Sequence, residues 1–152
     1  MGSIVGKGRA EGERLRAKFL KGMPAIGTLI ARLTQYRKEN KGYIRAIDGR
    51  HFPVDHAHTI LNYLLQSAGA ILSKEWMRQL HRDAVDQGFI WGKDYMQLLY
   101  VHDELQFAVK KDRAHELGKL AVRAIEKVGE MYKLNCPITG EYQVGDTWKD
   151  TH

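Results

Sequence analysis

The feature that most constrains this chain is a long run of apolar residues that recur every three or four positions between Ile60 and Ala84. This spacing places them along one face of an α-helix. The helix would begin after Asp55 and end before Gln87 and Gly88. At about 1.5 Å per residue it would be roughly 40 Å long, comparable to a whole small domain. We therefore predict one central helix that organises the fold.

Shorter helices are predicted on both sides of the central one. The first runs from Arg9 to about Gly22 and has few apolar residues, which indicates an exposed helix. A second can start at Pro24, a residue tolerated in the first turn of a helix, and stop before Gly42, so the two form a helical hairpin. The last runs from Arg113 to Leu134, with Asp112 available as its N-cap.

Two β-hairpins are predicted between these helices. Asp48-Gly49-Arg50 separates the short runs 43–47 and 51–54, and Asp-Gly in such a place is a strong hairpin signal. Pro53 would put the second of those strands at a sheet edge. A longer hairpin fits Tyr95 to Val109, and the tail from Pro137 holds one short strand. Antiparallel hairpins among separate helices predict an α+β fold in a single domain.

The composition excludes several classes of protein. The single cysteine, Cys136, excludes a disulfide framework and a zinc ribbon, and we expect it to be a small buried residue. Because the chain has neither an apolar signal segment nor about 20 consecutive apolar residues, we expect a soluble cytoplasmic protein with no membrane partner. The net charge of +6 favours an anionic partner. The excess is spread along the chain, mildly concentrated from Lys7 to Lys41, where a solvated helical face explains it equally well.

Two adjacent carboxylates, Asp103 and Glu104, follow Val101-His102 at the expected turn of the longer hairpin. Neighbouring negative charges between apolar strands repel each other unless a cation neutralises them. Mg²⁺ prefers oxygen ligands, usually one or two carboxylates completed by phosphates and water. The turn is thus a candidate metal site, although a plain polar turn also accounts for these residues.

Three polar residues, His58, Asn62 and Gln66, are spaced four apart in the central helix and would lie on one stripe. Asn and Gln both donate and accept hydrogen bonds, which suits the minor groove, where acceptors occupy similar positions on every base pair. The alternative is that they face water or satisfy buried backbone groups. A metal cluster of His51, Asp55, His56 and His58 matches no zinc spacing, and Gly6-Lys7-Gly8 lacks the pattern of a phosphate-binding loop.

Taken in order, these segments resemble the last part of family A DNA polymerases, most closely those of bacteriophages. The stretch from Asp48 to Arg50 followed by 58–70 is similar to the family's hairpin and its primer-template-contacting helix. The stretch 101–106 is similar to motif C of the palm, and 145–148 through His152 resembles the family's C-terminus. Gly2 to Gly6 resembles the segment that follows the fingers helix.

The resemblance implies a role for each matching residue. Asp103 would bind the catalytic Mg²⁺ ions, Glu104 would be the accompanying acid, and His102 would contact the primer terminus. Asn62 and Gln66 would contact the minor groove, and so would His58, although some relatives have arginine there. Residues 1–42 would be a helical hairpin after the fingers, and 43–152 the C-terminal palm segment, the two forming a single compact unit.

The second catalytic aspartate and the nucleotide-gripping fingers helix of the family are absent from this sequence. The resemblance therefore implies one part of a split or truncated polymerase, inactive without an N-terminal polymerase fragment. With that fragment it would add deoxynucleotides from deoxynucleoside triphosphates to primer-template DNA. Its location would be the cytoplasm of a phage-infected or lysogenic bacterium. The alternatives are a non-catalytic DNA-binding remnant and a truncated product with no selected role. Surfaces left uncovered predict self-association.

Overall fold

The computed structural model describes residues 8–151, so the segment 2–6 that resembles the one after the fingers helix, and the terminal His152, lie outside the described residues. The fold is α+β, as predicted. Along the chain its elements are α1 (Arg9–Gly22), α2 (Pro24–Glu39), β1 (Tyr43–Arg45), β2 (His51–Pro53), α3 (Ile60–Asp86), β3 (Tyr95–Val101), β4 (Glu104–Val109) and α4 (Ala114–Met131). Among the helices in this described part, none combines the length and apolar character needed to cross a membrane.

The central helix is confirmed, since α3 has 27 residues. The chain nevertheless divides into two compact units within it, one ending at Leu65 and one beginning at Gln66. The predicted division at residues 42 and 43 refers to the architecture of a whole polymerase and stays a prediction.

The first unit is built on the α1–α2 hairpin and the β1–β2 ribbon. The strands are antiparallel, with Ile44 opposite Phe52. Ile44, Val54 and Ile60 form its buried core, against which α2 packs Ile30 and Leu33. The α2 side chain of Arg37 holds the end of β2, because its Nε donates to the Val54 carbonyl at 2.5 Å and its Nη2 to the Asp55 carbonyl at 2.7 Å.

The second unit packs the part of α3 from Gln66 onward, the β3–β4 ribbon and α4 around one apolar core. The buried members of this core are Leu80, Ala84, Phe89, Tyr95, Leu117 and Ala124. Polar bonds join the two helices beside it: Trp76 Nε1 donates to the Ala121 carbonyl at 2.8 Å, and Lys127 Nζ lies 2.9 Å from Asp83 Oδ1.

Two local predictions are wrong, the N-cap of α4 and the burial of Cys136. Helix α4 begins at Ala114 with Arg113 as its N-cap residue and no side-chain cap bond, while Asp112 lies in the preceding 3₁₀ turn. Arg113 has another role, since its guanidinium carbon lies 3.4 Å from the Phe89 ring centroid and the group also donates to the Gln87 and Gly88 carbonyls. Cys136 is exposed.

The predicted tail strand is also absent from the described residues, where the tail instead lies along α4 and ends in a 3₁₀ turn, Trp148–Thr151. Two glycines of α4 make room for it. A Cβ built on Gly118 would lie 2.2 Å from the Tyr142 ring, and one on Gly129 would lie 2.7 Å from Ile138 Cγ1. A hydrogen bond of 2.9 Å from Thr139 to Glu126 lies between these contacts. The tail is thus held by side chains that pack against bare backbone.

We expect Gly118→Ala to lower the free energy of unfolding, because the new methyl group must displace the Tyr142 ring. Overpacking of this kind typically costs about 1 to 3 kcal/mol. The matched control is Gly69→Ala in α3, where a Cβ meets nothing within 4 Å. That variant should gain up to about 1 kcal/mol from helix propensity. Urea unfolding of both variants tests this, and an equal gain in both would show that the Gly118 contact is not needed.

Candidate functional site

The tip of the β3–β4 ribbon carries the predicted acidic pair. Because Val101 pairs with Glu104, only His102 and Asp103 remain as the turn. His102 has a φ of +53°. A positive φ at the first central residue is the feature that two-residue hairpin turns share, since it matches the twist of the strands. It is uncommon for residues other than glycine, although histidine is among those enriched there.

The two carboxylates differ in their surroundings. Asp103 is exposed at the turn, whereas Glu104 is the first residue of β4 and accepts a hydrogen bond from Gln106 Nε2, two residues along the same strand. Both offer the oxygen atoms that Mg²⁺ prefers, so the donor chemistry fits that ion. Within residues 8–151, no three His, Cys, Asp or Glu side chains converge as a metal site.

The base of this ribbon is fixed by a charged pair that the sequence analysis missed. Asp94 is buried directly before β3, and Lys110 directly follows β4. The Lys110 ammonium lies 2.6 Å from Asp94 Oδ1, and the Lys110 backbone N–H donates to the Asp94 carbonyl. The Ile90 N–H donates to Asp94 Oδ2 at 2.8 Å. The sequence signal for this pair was an acidic residue directly before the first predicted strand and a lysine directly after the second. The pair holds both strands where the ribbon begins.

Asp94 gives the fold a specific dependence on pH. The Lys110 ammonium, followed by the Ile90 N–H, holds the pKa of this carboxyl below its ordinary value. A carboxyl with a lowered pKa in the folded state adds stability that is complete above its unfolded pKa, about 3.9, and is lost as the pH falls through the folded value. We therefore expect Asp94→Asn to be less stable than wild type at pH 7 and the difference to shrink below about pH 4.

Urea unfolding at pH 7 and at several values below pH 4 measures that difference. Glu141→Gln, which changes an exposed carboxylate in the tail, is the control and should show no such trend. A constant difference between Asp94→Asn and wild type at every pH would mean that the ion pair does not contribute through the charge of Asp94.

The polar residues predicted on α3 are all exposed, but they do not share one continuous helix. His58 lies in a 3₁₀ turn, Ala57–Thr59, that precedes α3, and its ring stacks on His56 with centroids 5.5 Å apart. Asn62 and Gln66 lie on successive turns of α3 itself and face the same side. His58 and Asn62 belong to the first unit, while Gln66 and the ribbon tip belong to the second.

Comparison with known proteins assigns the family. A family model described as DNA polymerase family A matches residues 2–150. The chain belongs to DNA polymerase family A. Three phage DNA-directed DNA polymerases align with the whole of this family A chain: 32% identical for Enterobacteria phage T3, 34% for Escherichia phage Phieco32 and 31% for Escherichia phage T7. DNA polymerase I of Aquifex aeolicus is 24% identical over 91% of the chain.

The family A fold is also seen in a solved structure, the POL domain of Pol1 from M. smegmatis in complex with DNA primer-template and dNTP. It superposes on 84% of this chain with a TM-score of 0.71 and 18% sequence identity. The chain spans about a quarter of the length of its relatives, 24% of the phage T3 and T7 proteins and 24% of the mycobacterial chain.

Proposed function

We propose that this family A chain is the C-terminal part of a DNA-directed DNA polymerase and is inactive without an N-terminal part. The observation that carries the proposal is the turn at the end of the β3–β4 ribbon, where Asp103 is exposed on a scaffold fixed at its base. The turn corresponds to motif C, the acidic hairpin of the polymerase palm. Primer-template DNA and a deoxynucleoside triphosphate are the proposed partners, which are the ligands in the complex of the mycobacterial POL domain.

The chain's own residues would act through position and charge. Asp103 would hold Mg²⁺, with Glu104 as the second acid beside it, and His102 would contact the primer terminus. Mg²⁺ held there would supply positive charge to stabilise the attacking and leaving oxygens of a phosphoryl displacement. Asp103 and Glu104 would provide only part of the oxygen ligands that such a site requires, so we propose that the N-terminal part supplies an opposing aspartate. Asn62 and Gln66, with His58 before them, would contact the minor groove of the new duplex.

The surface of the β3–β4 ribbon supports an N-terminal partner. Five residues in β3 are large, apolar and exposed: Met96, Leu98, Leu99, Tyr100 and Val101. A two-stranded ribbon has unpaired backbone groups at both edges, and exposed apolar strands of this kind readily pair with other chains. The occupant we propose is the N-terminal polymerase part, because the chain spans only a quarter of its relatives. Without it, the same surface favours self-association of the free chain.

The first unit supports a second candidate function, a non-catalytic DNA-binding module. Residues 8–65 carry eleven Lys and Arg against five Asp and Glu, whereas residues 66–151 carry twelve against thirteen. The prediction of a charge excess spread along the chain is therefore wrong, since the first unit holds it. Such a charge releases counterions on binding nucleic acid whether or not catalysis follows.

Complementation separates these functions. The purified chain is mixed with an N-terminal polymerase piece, and extension of a labelled primer is measured for the chain alone, the piece alone and the mixture. The polymerase proposal predicts extension only in the mixture. Extension by the highly purified chain alone would contradict its dependence on a partner. Salt-sensitive DNA binding with no extension in the mixture would favour the binding module.

A further inference from the structure

The β1–β2 ribbon of the first unit has one face that its core does not use. Ile44 and Phe52 point into the core, so the residues on either side of them point outward. Tyr43 lies opposite Pro53 and Arg45 opposite His51, and all four are exposed. We call this set, Tyr43, Arg45, His51 and Pro53, the outer ribbon face. It presents an aromatic ring, a guanidinium and an imidazole side by side.

An open depression of about 420 Å³ lies against the outer ribbon face, lined by Glu39, Asn40, Lys41, Tyr43 and His51. Two of its polar groups are already engaged, since Asn40 donates to the Tyr36 carbonyl at 2.8 Å and Glu39 accepts from Gln35 at 2.7 Å.

The other three lining residues of the depression are available to a ligand. Within residues 8–151, Lys41, Tyr43 and His51 make no side-chain hydrogen bond or ion pair. Lys41 also has a φ of +53°, which bends the backbone sharply at the end of α2. A cation, an aromatic ring and an imidazole thus surround one concave surface without partners of their own.

These groups match the chemistry of a single nucleic-acid strand. Proteins bind such strands with a cationic groove along the phosphates and aromatic rings on which the bases stack. Tyr43 is 44% exposed, so its ring can accept an unpaired base, whereas the bases of a duplex are already stacked on each other. The positive charge excess of the first unit is complementary to phosphate. Some of its cations already have partners, since Arg50 is paired with Asp48 and Arg37 donates to backbone carbonyls.

We propose that the outer ribbon face and its depression bind single-stranded DNA, with one base stacked on Tyr43 and the adjoining phosphates held by Lys41 and Arg45. The choice of DNA over RNA rests on the proposed polymerase function. The binding chemistry rests only on the ribbon and its charges.

Fluorescence anisotropy with a labelled oligothymidylate tests this proposal on the full chain. We expect Tyr43→Ala to weaken binding by about 10-fold and Tyr43→Phe to bind like wild type, since the ring alone provides stacking. Lys41→Gln should reduce the salt dependence of binding by about 0.7 in the slope of log K against log salt, the effect of one phosphate contact on a single strand. Lys119→Gln on α4, an exposed cation of the second unit, should not reduce oligothymidylate affinity.

Circular dichroism verifies that each variant is folded, and Arg45→Gln replaces Tyr43→Ala as the main variant if the latter unfolds. Equal oligothymidylate affinity for Tyr43→Ala and wild type would overturn the proposal. Heparin, which is anionic but has no bases, serves as a second ligand. If Tyr43→Ala weakens heparin binding as much as it weakens oligothymidylate binding, the proposal is also overturned. If the ribbon variants have no effect but the complemented polymerase extends primers, only the ribbon assignment fails. If neither binding nor extension occurs, the polymerase function fails as well.

Discussion

Asp103→Ala is expected to reduce primer extension by the complemented polymerase by more than about 100-fold. Groups that only orient a metal ligand contribute about 10- to 100-fold to affinity or activity, and a direct ligand should contribute more. Asp103 is exposed and makes no side-chain hydrogen bond within residues 8–151, so its loss should change the free energy of unfolding by no more than about 0.5 kcal/mol. Extension rates at saturating nucleotide, with unfolding curves for each variant, measure both effects.

The matched control for this prediction is Asp112→Ala, which removes another exposed aspartate, from the 3₁₀ turn before α4. It should leave extension unchanged. Asp103→Asn keeps the shape of the side chain and removes its charge, so it should be nearly as inactive as Asp103→Ala. An Asp103→Ala assembly that extends primers at the wild-type rate would remove Asp103 from the proposed metal site.

Leu80→Ala is expected to lower the free energy of unfolding by about 2 to 5 kcal/mol, the usual cost of removing a large side chain from a packed core. Leu80 is 1% exposed and belongs to the core of the second unit. Urea unfolding of the free chain measures this loss. A loss below about 1 kcal/mol would mean that the packing around Leu80 is looser than the structure indicates.

Leu98→Ala makes the same chemical change on the outside of the ribbon, where Leu98 is 55% exposed. Its unfolding free energy should change by no more than about 0.5 kcal/mol. If the N-terminal part covers β3, this variant should instead weaken assembly, seen as a higher concentration of chain needed for half-maximal extension. Unchanged assembly would show that Leu98 lies outside the interface.

The sequence predicted helices and hairpins well where the signal was local. The apolar spacing in α3 extends over more than twenty residues, and Pro24 and Asp48-Gly49 mark a helix start and a turn through their own backbone preferences. The sequence predictions failed where the local structure depends on contacts with residues far along the chain. Arg113 replaces Asp112 at the start of α4 while its guanidinium packs on Phe89, a contact that no local pattern encodes.

The tail shows the same limit of local patterns. Its residues after Pro137 have the composition of a short strand, but the described tail forms no strand and packs on Gly118 and Gly129 of α4 instead. These glycines lie eleven residues apart, about three helical turns, and so on one side of the helix. Glycine inside a helix lowers its propensity, and only the packing partner explains why it is there.

For the candidate site, the sequence identified the acidic turn and the polar residues on α3, and the structure adds how the turn is held. The spacing of apolar residues located the β3–β4 hairpin, but not the positive φ of His102 or the ion pair between Asp94 and Lys110. The φ of His102 and the ion pair both depend on how β3 pairs with β4, which brings together residues up to sixteen positions apart in the chain. The roles of Asp103, Asn62 and Gln66 stay predictions that the variants above test.

Metal-directed cleavage tests the central claim most directly. Fe²⁺ replaces Mg²⁺ in the complemented polymerase with primer-template and nucleotide, and peroxide with ascorbate then cuts the backbone beside the bound ion. Cleavage of this chain between Val101 and Leu105, present only with the N-terminal part and lost in Asp103→Ala, is the predicted result. An active assembly in which the cuts fall elsewhere in the chain, or are unchanged in Asp103→Ala, would contradict the claim that this turn holds the catalytic ions.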